Sequence, residues 1–152
     1  PAGGDLPDTK LNPKFEHKIN FLSEIKNKFF KGKKKKTILV GDFNIAPLPD
    51  DVWSHKALLK VVSHTKIETD LLSEIKKSGN WIDTFREMKP SGKLYSWWSY
   101  RARDWKISNR GRRLDHIWAS QDLKSKLSRV QIFSEARDWE RPSDHVPILS
   151  IF

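Results

Sequence analysis

The sequence predicts a mixed α/β fold, with short strands and helices layered around one core. Three observations carry that expectation. An apolar stripe at helical spacing lies near the start of the chain, and short strand-like runs dominate after residue 80. Between them, the run Thr37-Ile38-Leu39-Val40 ends in the polar turn Gly41-Asp42-Phe43-Asn44.

Residues 1–12 are dense in Gly, Pro and Asp and read as loop. Asn12-Pro13 then supplies an N-cap and a proline suited to the first helical position. Phe15, Ile19, Leu22, Ile25 and Phe29 follow at steps of four, three, three and four, one face of a helix running to about residue 30. The lysine-rich run at 31–36 ends it as a solvated turn. Residues 37–40 are β-branched and apolar, which predicts a strand buried on both faces. Residues 45–69 are poorly patterned, carry Pro47, Pro49, Asp50 and Asp51, and predict a long functional loop. A short helix is expected at 70–77, closed by Gly79. Strand-like pieces then fall at 81–86, 95–100, 114–119, 130–133 and 146–152, with a small helix at 121–127. No repeat, coiled coil or linker breaks the chain, which reads as one domain or one half of a larger one.

Composition narrows the partners. The 152 residues suffice for one core, and seven Trp and eight Phe supply large side chains to fill it. A formal net charge of +10 favours a polyanion, nucleic acid first, because phosphates reward dispersed Lys and Arg through counterion release. The absence of Cys excludes disulfides and thiolate metal sites and fits a reducing cytoplasm. No stretch approaches the ~20 apolar residues of a membrane span. The opening Pro1-Ala2-Gly3-Gly4-Asp5 lacks a basic and an apolar signal region, and it lacks an initiator Met. The chain is expected to begin inside a longer product, or after removal of Met before Pro1.

Side chains at i and i+2 leave an extended chain on the same face. Asp42 and Asn44 therefore look toward one site while Phe43 turns into the core. Asp115 sits among apolar Leu114 and Ile117, where an unpaired carboxylate is costly. His145, in Pro142-Ser143-Asp144-His145, is its natural partner, since an imidazole held by Asp has a fixed tautomer and carries charge beside a phosphate. Such a set can hold a metal and hydrolyse a phosphodiester. His17, His55, His64 and His116 lie in no such motif and read as non-catalytic.

Five ordered segments resemble the exonuclease III and AP endonuclease family of DNA repair enzymes, within the endonuclease–exonuclease–phosphatase superfamily. They are Gly41-Asp42-Phe43-Asn44-Ile45-Ala46-Pro47, Trp81-Ile82-Asp83-Thr84-Phe85-Arg86, Tyr95-Ser96-Trp97-Trp98-Ser99-Tyr100-Arg101, the stretch 109–115, and Arg141-Pro142-Ser143-Asp144-His145-Val146-Pro147. The resemblance implies a four-layered α/β sandwich, two packed mixed β-sheets flanked by helices, of which residues 1–152 form the C-terminal half. It implies that Asp42 deprotonates or orients the attacking water, with His145 the alternative base, and that Asn44 positions the phosphate. It makes His145, oriented by Asp115, the group that steadies transition-state charge. Asp144, with Asp42 and Asn44, would hold Mg²⁺ or Mn²⁺. Trp97, Trp98 and Leu114 would line a slot for a flipped abasic sugar, with Trp97 meeting the sugar and Trp98 packing behind it. Tyr100, Arg101, Asn109, Arg112 and Arg113 would track the DNA backbone.

The resemblance also implies an Asn, a metal-binding Glu and a Tyr in a first half that would precede Pro1. The expected activity is therefore Mg²⁺-dependent 3′→5′ exonuclease action on duplex DNA and cleavage at abasic sites, by a chain that on its own is poorly soluble, dimeric, or dependent on a companion polypeptide carrying its other half. A non-catalytic nucleic-acid-binding remnant and a superfamily phosphatase are the alternatives. The aromatic and arginine segments and the basic balance count against the phosphatase.

Overall fold

The computed structural model describes residues 1–28 and 35–152. Helix α1 spans Pro13–Lys28. The expected end of its stripe at Phe29, and the lysine run as far as Lys34, lie outside the described residues. Asn12 caps it, accepting from the Lys14 N–H at 3.1 Å, and its amide donates to the carbonyls of Gly3 and Leu6, which folds the opening loop onto the helix. Phe15 and Leu22 are buried along the inner face, and Ile19 and Ile25 are half-buried.

Helix α2 spans His55–Leu58 and α3 spans Lys66–Ser78, so α3 starts four residues before the expected 70. The cause is a capping box: the Thr65 N–H and hydroxyl both donate to Glu68 Oε2, at 3.1 and 2.6 Å. Helices α1 and α3 pack together over a cluster of Leu22, Ile45, Leu72, Ile75, Trp81 and Trp118.

Five strands follow: β1 Ile38–Asp42, β2 Trp81–Asp83, β3 Asp115–Ser120, β4 Arg129–Ile132 and β5 Ile148–Ile151. They form one sheet in the order β1-β3-β2 and a second of β4 and β5, every pairing antiparallel. The Thr84 hydroxyl joins the two, contacting the Ile117 carbonyl and the Ser150 hydroxyl, each at 2.8 Å. Residues 81–86 are only half strand. Asp83 caps helix α4, Thr84–Met88, by accepting from the Arg86 N–H.

The expectation that β1 is buried on both faces is wrong. It pairs with β3 alone among the described strands, and Ile38 and Val40 are 48% and 62% exposed. A β-branched run specifies extended backbone, but a neighbouring layer must do the burying, and no described residues cover this face.

Residues 45–69 are built as well: a 3₁₀ turn at Pro49–Asp51 and helix α2 hold Ala46, Val52, Leu58 and Leu114 in a second apolar cluster. Beneath it lies an ionic core. Arg113, 1% exposed, donates to both Asp51 oxygens at 2.8 and 2.9 Å and to both Asp83 oxygens at 3.0 and 2.7 Å. Arg86 pairs with Asp51 as well. The expected place of Arg113 on the DNA backbone is therefore excluded, because its donors are spent inside the protein.

Two outcomes follow from this architecture. Arg113→Met strands the buried Asp83 carboxylate and leaves Asp51 to Arg86 alone, and should cost about 3–5 kcal/mol in urea unfolding, the scale of a broken buried ion pair. The open edge of β1 with its exposed Ile38 and Val40 should make the 152-residue chain self-associate, and Val40→Lys should reduce this in sedimentation velocity. A concentration-independent monomer with a cooperative melt would contradict that reading.

Candidate active site

The register of β1 on β3 sets Asp42 directly opposite Asp115, across a ladder that runs from Ile38↔Ala119 to Asp42↔Asp115. Two carboxylates facing each other repel, so the pair needs a cation or a proton between them. His145 supplies one. Its Nδ1 lies 2.8 Å from Asp115 Oδ2 and its Nε2 lies 3.8 Å from Asp42 Oδ2. One ligand atom from each of Asp42, Asp115 and His145 lies within 4.8 Å of the others, a group with metal-binding composition.

Asn44 joins from the same turn. With φ at 51° it is in the left-handed region, which Asn tolerates better than most residues. Its N–H and its side-chain amide donate to the two oxygens of Asp42, both at 2.8 Å. Phe43, between them, packs into the core, stacked on His116 at 5.3 Å and edge-on to Trp118 at 5.2 Å.

Residues 95–100 were expected as a strand and instead make isolated bridges, Trp97 with Arg112 on one side and with His145 on the other. The N–H groups of Ser96 and Trp97 both donate to the Arg112 carbonyl, at 2.9 and 3.0 Å. Two residues opposing one is a bulge, and it re-aims the side chains beside it. Gly111 lets this thread pass, since a Cβ there would lie 2.5–2.6 Å from Tyr95 atoms.

Ser96 is fully buried, donates to Asp115 Oδ2 at 2.6 Å, and accepts from the Leu114 and Asp115 N–H groups. Its carbonyl accepts from Val146 N–H at 2.8 Å, so one residue ties Asp115 to the segment carrying His145. Lys18 plays a similar part on the other side. It is buried, paired with Glu68 at 2.5 Å, and donates to the Asn44 carbonyl at 2.7 Å. Sequence reasoning missed both. Lys18 was signalled by its place inside the apolar stripe of α1; Ser96 carried no local signal.

Beside the cluster lies a cavity of about 750 Å³ lined by Asn44, Trp53, Trp97, Arg101, Arg112, Leu114, Asp144 and His145, among others. Trp97 Nε1 donates to Asp144 Oδ2 at 2.9 Å, which holds that carboxylate at the cavity wall. Asp144 thus adjoins the site without belonging to the three-residue group. Trp98 is 4% exposed, packs with Tyr95, Ala136 and Val146, and cannot reach a ligand; its Nε1 donates to Asn109 Oδ1. Tyr100 is exposed, and its hydroxyl donates to the Pro142 carbonyl at 2.9 Å. His116 is buried and neutral. Its Nε2 donates to the Ile45 carbonyl, its Nδ1 faces Arg113, and burial pushes its pKa down to about 4.

Two groups titrate in opposite senses to that histidine. Burial raises the Asp42 carboxyl above the ordinary aspartate value, with the facing Asp115 adding to it. The hydrogen bond that His145 Nδ1 donates to Asp115 raises the imidazole, against the opposing effect of its burial. The site thus pairs a carboxylate of raised proton affinity with an imidazole of raised proton affinity.

A layered α/β scaffold thus carries a carboxylate–imidazole–carboxylate cluster beside a basic, aromatic cavity. The sequence pattern of the endonuclease/exonuclease/phosphatase family matches residues 22–145, and the chain belongs to that family. Its similarity runs to the exonuclease III and AP endonuclease members. It is 30% identical over 151 residues to an exodeoxyribonuclease III of Haemophilus influenzae, covering 91% of this chain and 55% of that one. It is 33% identical over 118 residues to an exodeoxyribonuclease of Bacillus subtilis, covering 76% and 44%. An AP endonuclease from Archaeoglobus fulgidus superposes with a TM-score of 0.90 at 25% identity, over 100% of this chain and 58% of that one. A Neisseria 3′ phosphatase bound to a product DNA hairpin superposes at 0.81 with 27% identity, over 99% and 57%. The chain spans about half the length of the curated relatives it matches.

The titration of His145 gives a direct check. Its pKa is raised above 6.5, so the Asp115–His145 contact contributes stability in full below that value and loses it as pH rises through the raised one. By NMR the His145 ring should titrate above an ordinary histidine, and Asp115→Asn should move the midpoint down.

Proposed function

We propose that this chain is the C-terminal portion of an exonuclease III-like DNA repair nuclease that hydrolyses phosphodiesters at duplex 3′ ends and abasic sites. The observation that carries it is the Asp42/Asp115 pair bridged by His145, with Asn44 at its side and an arginine-rich cavity adjoining. Asp42, with its raised pKa, takes the proton from an attacking water. His145, whose proton affinity Asp115 raises, would set positive charge beside the phosphate as negative charge grows on its oxygens. Ser96 fixes Asp115, and through it the tautomer of His145.

The donor set fits a hard divalent cation. Asp42 is partly exposed, and Asn44 Oδ1 receives no hydrogen bond from the described residues, so a carboxylate and an amide oxygen face outward together. Asp42 and Asn44, with Asp144 at the cavity wall, would hold Mg²⁺ or Mn²⁺. Such an ion neutralises phosphoryl charge and lowers the pKa of bound water. Trp97 and Leu114 would receive the flipped abasic sugar, and Arg101 and Arg112 the backbone. Among the described residues no helix is long and apolar enough to cross a membrane, and we place the work of this protein in the cytoplasm with its DNA.

The test uses a duplex with one abasic site, in Mg²⁺, with and without a companion polypeptide that supplies the first-half Glu and Tyr. The chain alone should bind the duplex, and cleavage should appear on adding the companion. Asp42→Ala should retain binding and lower cleavage about 10²–10⁴-fold, the range for a lost general base. Binding with no cleavage in any combination would leave a nucleic-acid-binding remnant and sink the nuclease reading.

A further inference from the structure

His55 and His64 belong to no sequence motif, yet their rings meet in the fold. His55 Nδ1 lies 2.8 Å from His64 Nε2, with the ring planes at 81°. The two differ in burial. His55 is exposed at the start of helix α2, whereas His64 is 2% exposed. His64 Nδ1 lies 2.6 Å from the Ala46 carbonyl, which only accepts, so Nδ1 carries the hydrogen. Burial pushes the His64 pKa down, which keeps the ring neutral at pH 7 and leaves a lone pair on Nε2. The backbone around it is fixed as well. The His64 N–H donates to the Val61 carbonyl at 3.0 Å, and the Ser63 carbonyl accepts from the Ala46 N–H at 2.8 Å. Ser63 is held at a φ of 87°, a left-handed value that serine adopts only under constraint.

A buried imidazole anchored through Nδ1–H on a backbone carbonyl, its Nε2 lone pair turned to a second imidazole, has the outer support of a metal-ligating histidine already in place. We propose that His55 Nδ1 and His64 Nε2 chelate a divalent transition metal such as Zn²⁺, with water completing its shell. Two nitrogens about 2.0–2.1 Å from one ion stand roughly 2.9–3.4 Å apart, so the 2.8 Å pair has only to open slightly, and the exposed His55 ring can give that movement. In the metal-free pair His55 Nδ1–H donates to His64 Nε2. On binding, that hydrogen leaves to solvent and His55 Nε2 takes one up. The freed Nδ1 lone pair then joins that of His64 on the ion, and both rings stay neutral. Imidazole nitrogen suits Zn²⁺, Cu²⁺ and Ni²⁺, whereas Mg²⁺ takes oxygen, so this pair and the Asp42 and Asn44 oxygens select different ions. The chelate ties together the ends of the segment 55–64, whose Leu58, Val61 and Val62 line the cavity beside Trp53. It is a staple on the cavity wall, separate from the hydrolytic cluster and independent of the nuclease reading.

The test titrates Zn²⁺ into the 152-residue chain in saturating Mg²⁺, following the histidine ring nitrogens by NMR. The His55 Nδ1 and Nε2 signals should exchange protonated for unprotonated character. The His64 Nε2 signal should move with them, its Nδ1 staying protonated, and all should saturate at one ion per chain. Zn²⁺ should also raise the melting temperature, since it binds the folded pair. His55→Ala changes an exposed side chain and leaves the Ala46 bond of His64 in place, so the protonated His64 Nδ1 signal reports that the fold is kept. This variant should lose the His64 response and its share of the rise in melting temperature, while the His145 response to Zn²⁺ stays as in the wild type. Unsaturable shifts, shifts confined to His17 or His145, or a His64 response that survives His55→Ala each overturn the site. A shift of the His55 and His64 signals by Mg²⁺ alone overturns it too.

Discussion

The pairing of β1 with β3 is the constraint on which the site depends. Side chains alternate along a strand, so a slip of one residue would turn Asp42 away from Asp115 and bring Gly41 opposite it. The register is fixed away from the carboxylates. Trp118 is buried opposite Leu39, Ala119 is buried opposite Ile38, and the Ser120 N–H donates to the Thr37 carbonyl at 2.9 Å. Apolar packing at one end of the ladder thus sets two like charges face to face at the other. On its own that juxtaposition is unfavourable, and it persists because the His145 imidazole stands between them.

His145 reaches that position through bonds that mostly involve backbone. The bulge at Ser96 and Trp97 pairs with Arg112 on one side and with the 144–146 segment on the other, where the Trp98 N–H donates to the Asp144 carbonyl and the Val146 N–H to the Ser96 carbonyl. The Ser143 hydroxyl accepts from the His145 N–H at 3.1 Å, closing the turn that presents the imidazole. On the far side Lys18 clamps the Asn44 carbonyl, so the left-handed residue in the Gly-Asp-Phe-Asn turn is held from the helical layer. Asn44 and Asp115 are thus each backed by a buried side chain, Lys18 and Ser96.

Residues that act at the ends of strands were legible in the sequence, because their spacing follows from the pleat: Asp42, Phe43 and Asn44 behave as an extended chain requires, until Asn44 turns out of it. Asp115 was legible as a carboxylate in apolar company that needed a partner. The helix α1 stripe was legible too, though Lys18 within it was passed over because a lysine is ordinarily assigned to the solvated face. The true start of helix α3 is legible too, because Thr65 and Glu68 stand at capping-box spacing. Arg113 and Trp98 illustrate a different limit. Their neighbours Arg112 and Trp97 face the cavity, and which of two adjacent identical residues goes inward depends on a bulge that no local pattern announces. The exposure of β1 was illegible for a similar reason: an apolar strand needs a cover, and the sequence of the strand does not say where the cover comes from.

That exposure bears on the chemistry as well as on solubility. Asp42 is the last residue of β1, so the carboxylate with the raised pKa lies at the end of an edge whose outer apolar residues, Ile38 and Val40, meet solvent. Its shift comes first from burial, and burial here is incomplete, the side chain being 34% exposed. Any layer laid over β1 removes more water from Asp42 and pushes its carboxyl further up, while the Asn44 donors and His145 oppose the rise. The strength of the base is therefore set jointly by groups within the turn and by whatever packs on the edge. A sheet edge beside the Asp42 carboxylate therefore couples whatever packs on β1 to the proton affinity of that group.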